Sequence, residues 1–450
     1  MVNFRNIENL YFLGIGGIGM SALARYYAGG KYKVYGYDST RTQLTQELED
    51  EGAQVVYHEE AGLSLLQGLS KANTLVVFTP AVAKTNIILS YAQTNQFPIL
   101  KRAQLLGEIT KNHPTLAVAG THGKTTTTSI LAHILKVAEV RLTAFLGGIT
   151  ENYNTNYLNE GNEAIVVEAD EFDRSFMHLS PSIAGITSLD ADHLDIYKNK
   201  ASLEVSYRAF ISKIEQPENC FKIEGLAIPG QPVGFSATCV YQILQYTVRE
   251  GKYIFDFKTP NGVLRDLEFA LPGRHNLLNA ALAMAMALHF GVAPKHMASA
   301  LRSFKGIKRR FSIHCHKPRV LIEDYAHHPQ EIKAMHQAVS EMYPNKRCLA
   351  VFQPHLYSRT QDFATEFQES LAAFDEVLLL PIYPAREQAI PGVNSEMLLS
   401  DIENVQKKCI QKTDLVSEVL QSDAEVVILL GAGDIGLEAE KIKKALKREN

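Results

Sequence analysis

Short apolar runs alternate with amphipathic stretches along the chain, and this alternation predicts an α/β protein. The runs are rich in β-branched and aliphatic residues, and most end in a glycine-containing or polar segment, which is typical of buried parallel strands. Three series of such strands follow one another along the sequence. We therefore predict three domains, which comprise residues 1–105, 106–308 and 309–450.

The first series contains a glycine motif that is typical of nucleotide binding. An apolar strand in residues 9–16 runs into Gly14-Ile-Gly-Gly-Ile-Gly19, and the next strand, Lys33–Tyr37, ends at Asp38. This pattern predicts a Rossmann-like parallel sheet with Asp38 on a ribose hydroxyl. A helix N-terminus binds the diphosphate of a nicotinamide cofactor and that of a nucleotide sugar alike. The motif alone therefore does not decide between a nicotinamide cofactor and a nucleotide sugar.

A second junction between strand and helix has the composition of a phosphate-binding loop. The strand Thr115–Ala119 is followed by Gly120-Thr-His-Gly-Lys124, and a helix is expected from Lys124 to about Lys136. Backbone N–H groups and Lys124 would face a phosphate, and the hydroxyl of Thr125 would reach Mg²⁺. Val118 stands where the strict P-loop pattern has its first glycine. We predict that the central domain is a P-loop ATPase-like sheet.

Acidic residues follow two further strands of the central domain. Four carboxylates lie in Glu168–Asp173, and three more lie in Asp190–Asp195. Ligands collect at the carboxyl ends of strands in open α/β sheets, and carboxylates with phosphate are the ligands that Mg²⁺ prefers. Most of these acids are better explained as caps of the following helices. Glu168 and His193, nearest the strand ends, are the predicted metal ligands.

The end of the central domain changes character. Residues 232–271 alternate apolar and polar positions between two turns, which predicts added antiparallel hairpins. A helix rich in Ala, Met and Leu follows, and His275, Asn276 and Asn279 stand at its start. These side chains either cap the helix or contact the edge of a purine.

The third series ends four strands in polar or glycine-rich loops, and it predicts a second Rossmann-like domain. A basic linker, Lys305–Arg310, precedes it and ends at Arg310, a candidate phosphate ligand. Because parallel strands share one carboxyl edge, we expect these loops to meet there. The loops after these strands are Glu323–Pro329, Gln353–Arg359, Pro381–Glu387 and Gly431–Asp434.

Composition narrows the function classes. The chain has 450 residues, of which 46% are hydrophobic and 21% are charged, and its net charge is −4. This charge gives no reason to expect nucleic acid as a partner. The sequence has no apolar run long enough for a membrane span, and its first residues lack the features of a signal peptide. Five scattered cysteines predict reduced thiols in a cytoplasmic protein.

Taken together, these motifs resemble those of the Mur ligases over essentially the whole chain. In order and spacing they form a set that is highly specific to the family. The matching segments are Gly14–Met20, Gly120–Thr126, Glu168–Glu171, Asp192–Asp195, His275–Asn279, Arg309–Phe311, Asp324–Pro329, Gln353–His355 with Tyr357 and Arg359, and Ile390–Gly392.

The resemblance implies an ATP-dependent ligase of peptidoglycan precursor synthesis, closest to the branch that joins L-alanine to the lactyl carboxylate of UDP-N-acetylmuramate. It resolves the first glycine motif in favour of a UDP-sugar over a nicotinamide cofactor. The UDP-sugar ligands that it implies are Gly14, Gly16, Gly17, Gly19, Met20, Asp38 and Thr79. The ATP ligands that it implies are Gly120, Thr121, His122, Gly123, Lys124, Thr125, Thr126, His275, Asn276, Asn279, Arg310 and Asp324.

The resemblance also implies roles in the reaction. An acyl phosphate would form on the substrate, and the amine of alanine would then displace the phosphate. Mg²⁺ (or Mn²⁺) would be held by Thr125, Glu168 and His193. Alanine would be bound by His355, Tyr357 and Arg359. The residues expected to act in catalysis are Lys124, His193, Arg310 and His328.

Three positions depart from the family pattern. Ser188 stands where relatives often have Asn before the Asp-His motif, which leaves the hydrogen bond of that residue open. Residues 203–207 lack the lysine that many members carry as a carbamate, so the support of a second metal is unexplained. Leu356 stands where some alanine-adding relatives have arginine.

Three rival functions remain at this stage. A related ligase recycles a murein tripeptide onto UDP-N-acetylmuramate, although its glycine motif usually differs from the Gly-Gly-x-Gly-Met found here. A nicotinamide-dependent oxidoreductase would use Asp38 but would leave Lys124 and Thr125 without a role. A nucleotide switch without catalysis is the third.

Overall fold

The computed structural model describes residues 4–83, 85–190, 200–249, 252–385, 387–402 and 405–448. The chain forms two compact units. The first comprises the residues up to Gln245 together with Phe255–Leu267 and Leu278–Phe304, and the second comprises Tyr246–Ile254, Glu268–Leu277 and the chain from Lys305 onward. The division into three domains stays a prediction.

The first sheet has five parallel strands in the order β3-β2-β1-β4-β5. Its strands are β1 (Asn9–Leu13), β2 (Lys33–Tyr37), β3 (Gln54–Val56), β4 (Thr74–Phe78) and β5 (Ile99–Lys101). The helices of this region are α1 (Ile18–Ala28), α2 (Gln43–Asp50), α3 (Glu59–Gln67), α4 (Ile87–Thr94) and α5 (Arg102–Thr110). The glycine motif lies between β1 and α1, as the sequence predicted, but α1 begins two residues before Met20.

The second sheet has ten strands in the order β15-β14-β13-β12-β11-β10-β6-β9-β7-β8. Its first strands are β6 (Thr115–Ala119), β7 (Leu142–Phe145), β8 (Tyr157–Asn159), β9 (Ala164–Ala169) and β10 (Ile183–Ile186). The others are β11 (Cys220–Ile223), β12 (Gln231–Gly234), β13 (Tyr241–Arg249), β14 (Lys252–Thr259) and β15 (Gly262–Phe269). The helices are α6 (Lys124–Val137), α7 (Lys200–Ile211), α8 (Arg274–Phe290) and α9 (Lys295–Ser303).

Strand β6 lies between β10 and β9 and is parallel to both of them. Ala119, the last residue of β6, is in register with Ala169 of β9 and Ile186 of β10. The carboxyl ends of the three strands therefore meet at one edge. This register brings the loop after β6 next to the acidic segment at the end of β9, and Asp190, which follows β10, donates a hydrogen bond to Thr121 of that loop. Asp192 and Asp195 lie outside the described residues.

The third sheet lies in the second unit and has the order β16-β17-β21-β18-β19-β20. Strand β16 is antiparallel to β17, and the other neighbours are parallel. The strands are β16 (Ser312–Cys315), β17 (Val320–Asp324), β18 (Cys348–Phe352), β19 (Glu376–Leu379), β20 (Gln406–Cys409) and β21 (Val426–Leu430). The helices are α10 (Pro329–Met342), α11 (Tyr357–Asp362), α12 (Ala364–Leu371), α13 (Ser395–Ser400), α14 (Leu415–Gln421) and α15 (Ala439–Leu446).

The burial pattern explains why the apolar runs become central strands. Every residue of β1, β6, β18 and β21 is buried, as expected for parallel strands covered on both faces. The predicted α/β fold class is therefore confirmed. The hairpin region differs in one respect from the prediction, because β12 pairs with β13 in parallel. Among the described helices, none has the length and apolarity needed to cross a membrane.

Candidate active site

The loop between β6 and α6 depends on two glycines. Gly120 has a φ of 138°, and a Cβ there would lie 2.0 Å from Oγ1 of Thr187. Gly123 precedes the first residue of α6 with a φ of 80°, and a Cβ there would lie 2.6 Å from Oδ1 of Asn279. A left-handed backbone and a close neighbour both require glycine at these positions. The loop therefore exposes backbone at the start of a helix, which suits a phosphate.

Lys124 points into this loop and is held there by acceptors. Its ammonium donates to the carbonyl of Gly120 at 2.6 Å and to both carboxylate oxygens of Glu171 at 2.9 and 3.0 Å. Burial acts to lower the pKa of Lys124, but the carboxylates of Glu171, Asp170 and Glu168 more than offset it and raise the pKa above its usual value. Lys124 is therefore positively charged at any working pH.

Thr125 and Glu168, which the sequence predicted as metal ligands, lie next to each other. The hydroxyl of Thr125 donates to Oε2 of Glu168 at 2.8 Å. A Cβ on Gly147 would lie 1.9 Å from the same Oε2 and 2.8 Å from Oγ1 of Thr125. The two oxygens therefore border a small space beside Gly147, here called the cradle, which any larger side chain at that position would fill. Hydroxyl and carboxylate oxygens beside a phosphate loop fit Mg²⁺ or Mn²⁺.

The described residues near Thr125 and Glu168 do not include a larger cluster of metal-binding side chains. Within the described ranges, no three His, Cys, Asp or Glu side chains converge in a way that would hold a metal ion. The predicted ligand His193 lies outside the described residues, and so do Asp192 and Asp195. Their roles therefore stay predictions.

Ser188 answers one question that the sequence left open. Its Oγ accepts from the N–H of His122 at 2.8 Å and lies 2.8 Å from Oγ1 of Thr121. The N–H of Asp190 in turn donates to Thr121 Oγ1 at 3.0 Å. The shorter serine therefore makes hydrogen bonds that fix the loop, although the family often has asparagine there. The ring of His122 lies 3.9 Å from the carboxylate of Asp190.

The glycine motif after β1 has a different internal support. Gly14, with a φ of 81°, leaves a Cβ position only 3.0 Å from the methyl group of Thr79. The N–H of Gly16 donates to Asp38 Oδ2 at 2.8 Å, and the other oxygen of Asp38 accepts from the N–H of Thr40. Asp38 thus holds the loop in this structure, and its contact with a ribose stays a prediction.

The start of α1 completes this loop. Gly17 precedes the first residue of α1, and no side chain caps the helix. Met20 is buried in the first turn. A helix start without a side-chain cap presents backbone N–H groups and the positive end of the helix dipole to an anion.

The predicted adenine ligands belong to two different compact units. Asn279 belongs to the first unit, where it lies beside Gly123 of the phosphate loop. His275 and Asn276 stand in the first turn of α8 and belong to the second unit. The side-chain amide of Asn276 donates to the carbonyl of Pro272 at 2.6 Å. Thr126 is buried in the first turn of α6.

Asp324 and Arg310 lie close together in the second unit. The carboxylate of Asp324 is buried and accepts from the N–H groups of Phe311 and Ala326, each at 2.7 Å. Burial raises the pKa of Asp324 to about 6, against the opposing effect of the Arg310 charge. Arg310 lies over the ring of Tyr325 and 3.8 Å from the carboxylate of Glu331.

The predicted alanine ligands follow β18. The ring of His355 stacks on Tyr383 with centroids 5.7 Å apart. Tyr357 and Arg359 lie in α11, the short helix that follows Leu356. His328, by contrast, caps α10: its Nδ1 accepts from the N–H of Gln330 at 3.4 Å, and its ring packs edge-on against Phe363.

Sequence reasoning missed three residues of the first unit. Glu171 was grouped with helix caps, although its buried carboxylate pairs with Lys124. Gly147 was not related to Glu168, because the two residues meet only through the parallel pairing of β7 with β9. No role was predicted for Arg102, which lies beside Gly19 and Asp170. The one sequence signal for these contacts is that acidic residues follow two strands of the same domain as the phosphate loop.

Comparisons with known proteins now put this geometry in context. Residues 9–114 match the Mur ligase family catalytic domain, residues 118–223 match the Mur ligase middle domain, and residues 309–433 match the Mur ligase glutamate ligase domain. These matches cover more than half of the chain. They lie in the three segments that contain the three sheets.

Two relatives that align along the full length of the chain are both named UDP-N-acetylmuramate–L-alanine ligase. The UDP-N-acetylmuramate–L-alanine ligase of Christiangramia forsetii is 51% identical over all of both chains, and that of Flavobacterium psychrophilum is 52% identical over 99% of each. The crystal structure of a UDP-N-acetylmuramate-alanine ligase from Thermotoga maritima covers 98% of this chain and is itself fully covered. It has a TM-score of 0.82 at 26% identity. A murein peptide ligase from Psychrobacter arcticus has the same fold, with a TM-score of 0.71 at 20% identity and 98% of each chain covered.

Proposed function

Because the chain belongs to the Mur ligase family, we propose that it joins L-alanine to the lactyl carboxylate of UDP-N-acetylmuramate with the energy of ATP. The family predicted from the sequence is confirmed. The identity of 49–52% with relatives that bear this name supports the alanine-adding reaction over the tripeptide-recycling one. The product is a precursor of peptidoglycan.

One observation carries the chemistry. In a single compact unit, Lys124 lies at the end of a glycine-containing loop, and the side-chain oxygens of Thr125 and Glu168 lie 2.8 Å apart beside it. Phosphoryl transfer needs anions to be positioned and neutralised, and little covalent help from protein. A fixed cation beside a hard-oxygen pair is suited to that task. A nicotinamide-dependent oxidoreductase has no use for such a site.

Lys124 would act on ATP as a permanent positive charge. In the structure its ammonium is balanced by Glu171, so the loop holds a charged lysine before any ligand binds. Turning toward the β- and γ-phosphates would exchange carboxylate oxygens for phosphate oxygens. The charge is not lost in that exchange, because negatively charged phosphate oxygens replace the carboxylate oxygens around the ammonium.

Thr125 and Glu168 are the residues that would hold Mg²⁺. Their oxygens are hard donors beside the loop, and Gly147 leaves the space next to them free of a side chain. When bound there, the ion would supply positive charge to the phosphate oxygens. We propose His193 as a further ligand from the sequence pattern alone.

The sugar nucleotide would bind at the start of α1. Gly14, Gly16, Gly17 and Gly19 bring backbone close to the diphosphate, and Asp38 fixes the loop through Gly16. The lactyl carboxylate then attacks the γ-phosphorus of ATP, a P–O bond forms, and ADP leaves. The alanine amine attacks the acyl carbon and loses a proton, and inorganic phosphate departs as the amide forms.

Residues of the second unit complete the proposal. Arg310 would neutralise charge on the transferred phosphate, and Asp324 would keep the Arg310–Phe311 segment in place through its hydrogen bond to Phe311. His328 would act near the acyl group. His355, Tyr357 and Arg359 would bind alanine, with Arg359 on its carboxylate.

The test is an assay of ADP release with UDP-N-acetylmuramate and ATP. L-Alanine and the tripeptide L-Ala-D-Glu-meso-diaminopimelate are offered separately. We expect release with L-alanine and none above background with the tripeptide. Release with the tripeptide alone would assign the protein to the recycling reaction instead.

A further inference from the structure

Two cationic side chains connect the end of β5 with the acidic segment after β9. Lys101 lies 2.7 Å from Oδ2 of Asp173, and Arg102 Nη2 lies 3.4 Å from Oδ2 of Asp170. Both pairs join the same two segments. They differ in burial, since the side chain of Arg102 is 19% exposed and that of Lys101 is 41% exposed.

Arg102 also lies against the glycine motif. A Cβ on Gly19 would lie 2.9 Å from Nη1 of Arg102 and 3.2 Å from its Cδ. The third glycine of such motifs ordinarily allows close packing of helix and strand. Here it makes room for a guanidinium beside the first turn of α1. Any larger residue at this position would displace Arg102.

Hydrogen bonds within the loop indicate where an anion would be bound. The N–H groups of Gly14, Ile15, Gly16 and Gly17 are all used by acceptors of the protein. In the described part of the chain, no protein acceptor is found for the N–H groups of the next two residues, Ile18 and Gly19. These two amides and the guanidinium beside Gly19 therefore present donors in one small region.

From this arrangement we propose that Arg102 is a further substrate-binding residue, which binds the diphosphate of the sugar nucleotide while Asp170 holds its guanidinium. The inference rests on the proposed function for the identity of the ligand. Arginine has five N–H donors in a fork that suits phosphate oxygens. The Asp170 contact is long for a hydrogen bond and uses one end of the guanidinium, so donors remain for a ligand.

The position of Asp170 gives the contact a second consequence. Asp170 precedes Glu171, whose carboxylate accepts from Lys124 of the phosphate loop. Arg102 therefore contacts both the glycine motif and the acidic segment that adjoins the phosphate loop. A guanidinium there would offset the acidic segment where the anionic substrate passes it.

The experiment compares Arg102→Met, Arg102→Lys and the matched control Lys101→Met in the full-length protein. Binding of UDP, UMP and UDP-N-acetylglucosamine is measured by titration calorimetry, and KM is measured for each substrate. For Arg102→Met we expect UDP and UDP-N-acetylglucosamine to bind about 10- to 100-fold more weakly, as for loss of a hydrogen bond to a charged group. UMP affinity and the KM for L-alanine should not change. Arg102→Lys should recover part of the affinity.

Lys101→Met breaks the neighbouring pair between the same segments, so it should leave every affinity as in the wild type. Equal losses in both variants would show that Arg102 is only a structural tie, and unchanged UDP binding in Arg102→Met would also overturn the proposal. If only UDP-N-acetylmuramate lost affinity, the guanidinium would bind the lactyl carboxylate and the diphosphate assignment would be wrong. Wild-type protein that binds UDP through Arg102 but shows no alanine-dependent ADP release would contradict the proposed function alone.

Discussion

The ammonium of Lys124 lies within 3.0 Å of both carboxylate oxygens of Glu171, a residue with no exposed surface. A buried carboxylate without its cation is costly, so each residue keeps the other charged and in place. The pair therefore contributes both to the stability of the fold and to the proposed reaction. Lys124 serves as the counter-ion of Glu171 in this structure and as the counter-ion of phosphate in the proposed reaction.

The pairing of Lys124 with Glu171 predicts that stability and activity can be separated by mutation. Lys124→Met should lower ADP release by about 100- to 1,000-fold, and it should destabilise the first unit by about 3–5 kcal/mol because the buried carboxylate of Glu171 loses the cation that balances its charge. Adding Glu171→Gln removes the buried charge, so the double variant should regain thermal stability while it stays inactive. Differential scanning calorimetry and the ADP assay measure the two effects. A double variant as unstable as the single one would contradict this account of the pair.

Gly147 tests the cradle around the predicted metal ligands. A methyl group at this position would overlap Oε2 of Glu168, so Gly147→Ala should push that carboxylate away from Thr125. We expect a loss of activity of about 100-fold or more, as for a misplaced catalytic group. Gly29→Ala is the control, since a Cβ there would lie 3.6 Å from the nearest atom, in ordinary contact. Equal activity in the two variants would show that the cradle has no role.

Removal of the Glu168 charge should change the metal requirement. In Glu168→Gln, the Mg²⁺ concentration that gives half-maximal activity should rise by at least about 10- to 100-fold, since even the supporting partners of metal ligands contribute that much. Glu163→Gln alters an exposed carboxylate just before β9, which pairs with Arg141, and serves as the control. An unchanged Mg²⁺ requirement in Glu168→Gln would place the ion elsewhere.

His133 should make stability depend on pH without taking part in the reaction. Its ring nitrogens lie 2.6 Å from the hydroxyl of Tyr153 and 2.9 Å from that of Ser303, and burial lowers the pKa of His133 from 6.5 to about 4. The unfolded chain therefore takes up a proton that the folded chain rejects. The stabilisation from neutral His133 is fully present above pH 6.5 and is lost as pH falls from 6.5 to about 4.

The corresponding measurement is the unfolding midpoint of wild type and His133→Gln at pH 7.5 and pH 5. The variant should be less stable at pH 7.5 because it packs less well. Its further loss at pH 5 should be smaller by about 2 kcal/mol, which corresponds to about 1.5 pH units below the ordinary pKa. Parallel losses in the two proteins would show that His133 titrates normally in the folded state.

Local patterns were sufficient to predict most of the fold. The residues of β6 and β18 are buried throughout and those of β9 nearly so, and a strand covered on both faces has to be apolar along its length. The glycine motifs were equally legible, because a left-handed backbone at Gly14, Gly120 and Gly123 admits little else. The bounds of short edge strands such as β5, which comprises only Ile99–Lys101, are harder to predict because so few residues carry the pattern.

Contacts between distant segments could not be predicted in the same way. Glu171 reaches Lys124 because it follows β9, and β9 pairs with β6, the strand before the loop. No local pattern in the sequence predicts that contact. The same holds for Arg102, whose neighbour Gly19 is 83 residues away in the sequence.

The most direct test of the account follows the oxygen atoms of the lactyl carboxylate. UDP-N-acetylmuramate labelled with oxygen-18 in that carboxylate is incubated with ATP, L-alanine and the wild-type protein, and the inorganic phosphate is examined by mass spectrometry. If the carboxylate attacks the γ-phosphorus and alanine then displaces the phosphate, one labelled oxygen should appear in each phosphate released. Phosphate free of label, with both labelled oxygens kept on the sugar nucleotide, would contradict an acyl-phosphate ligase.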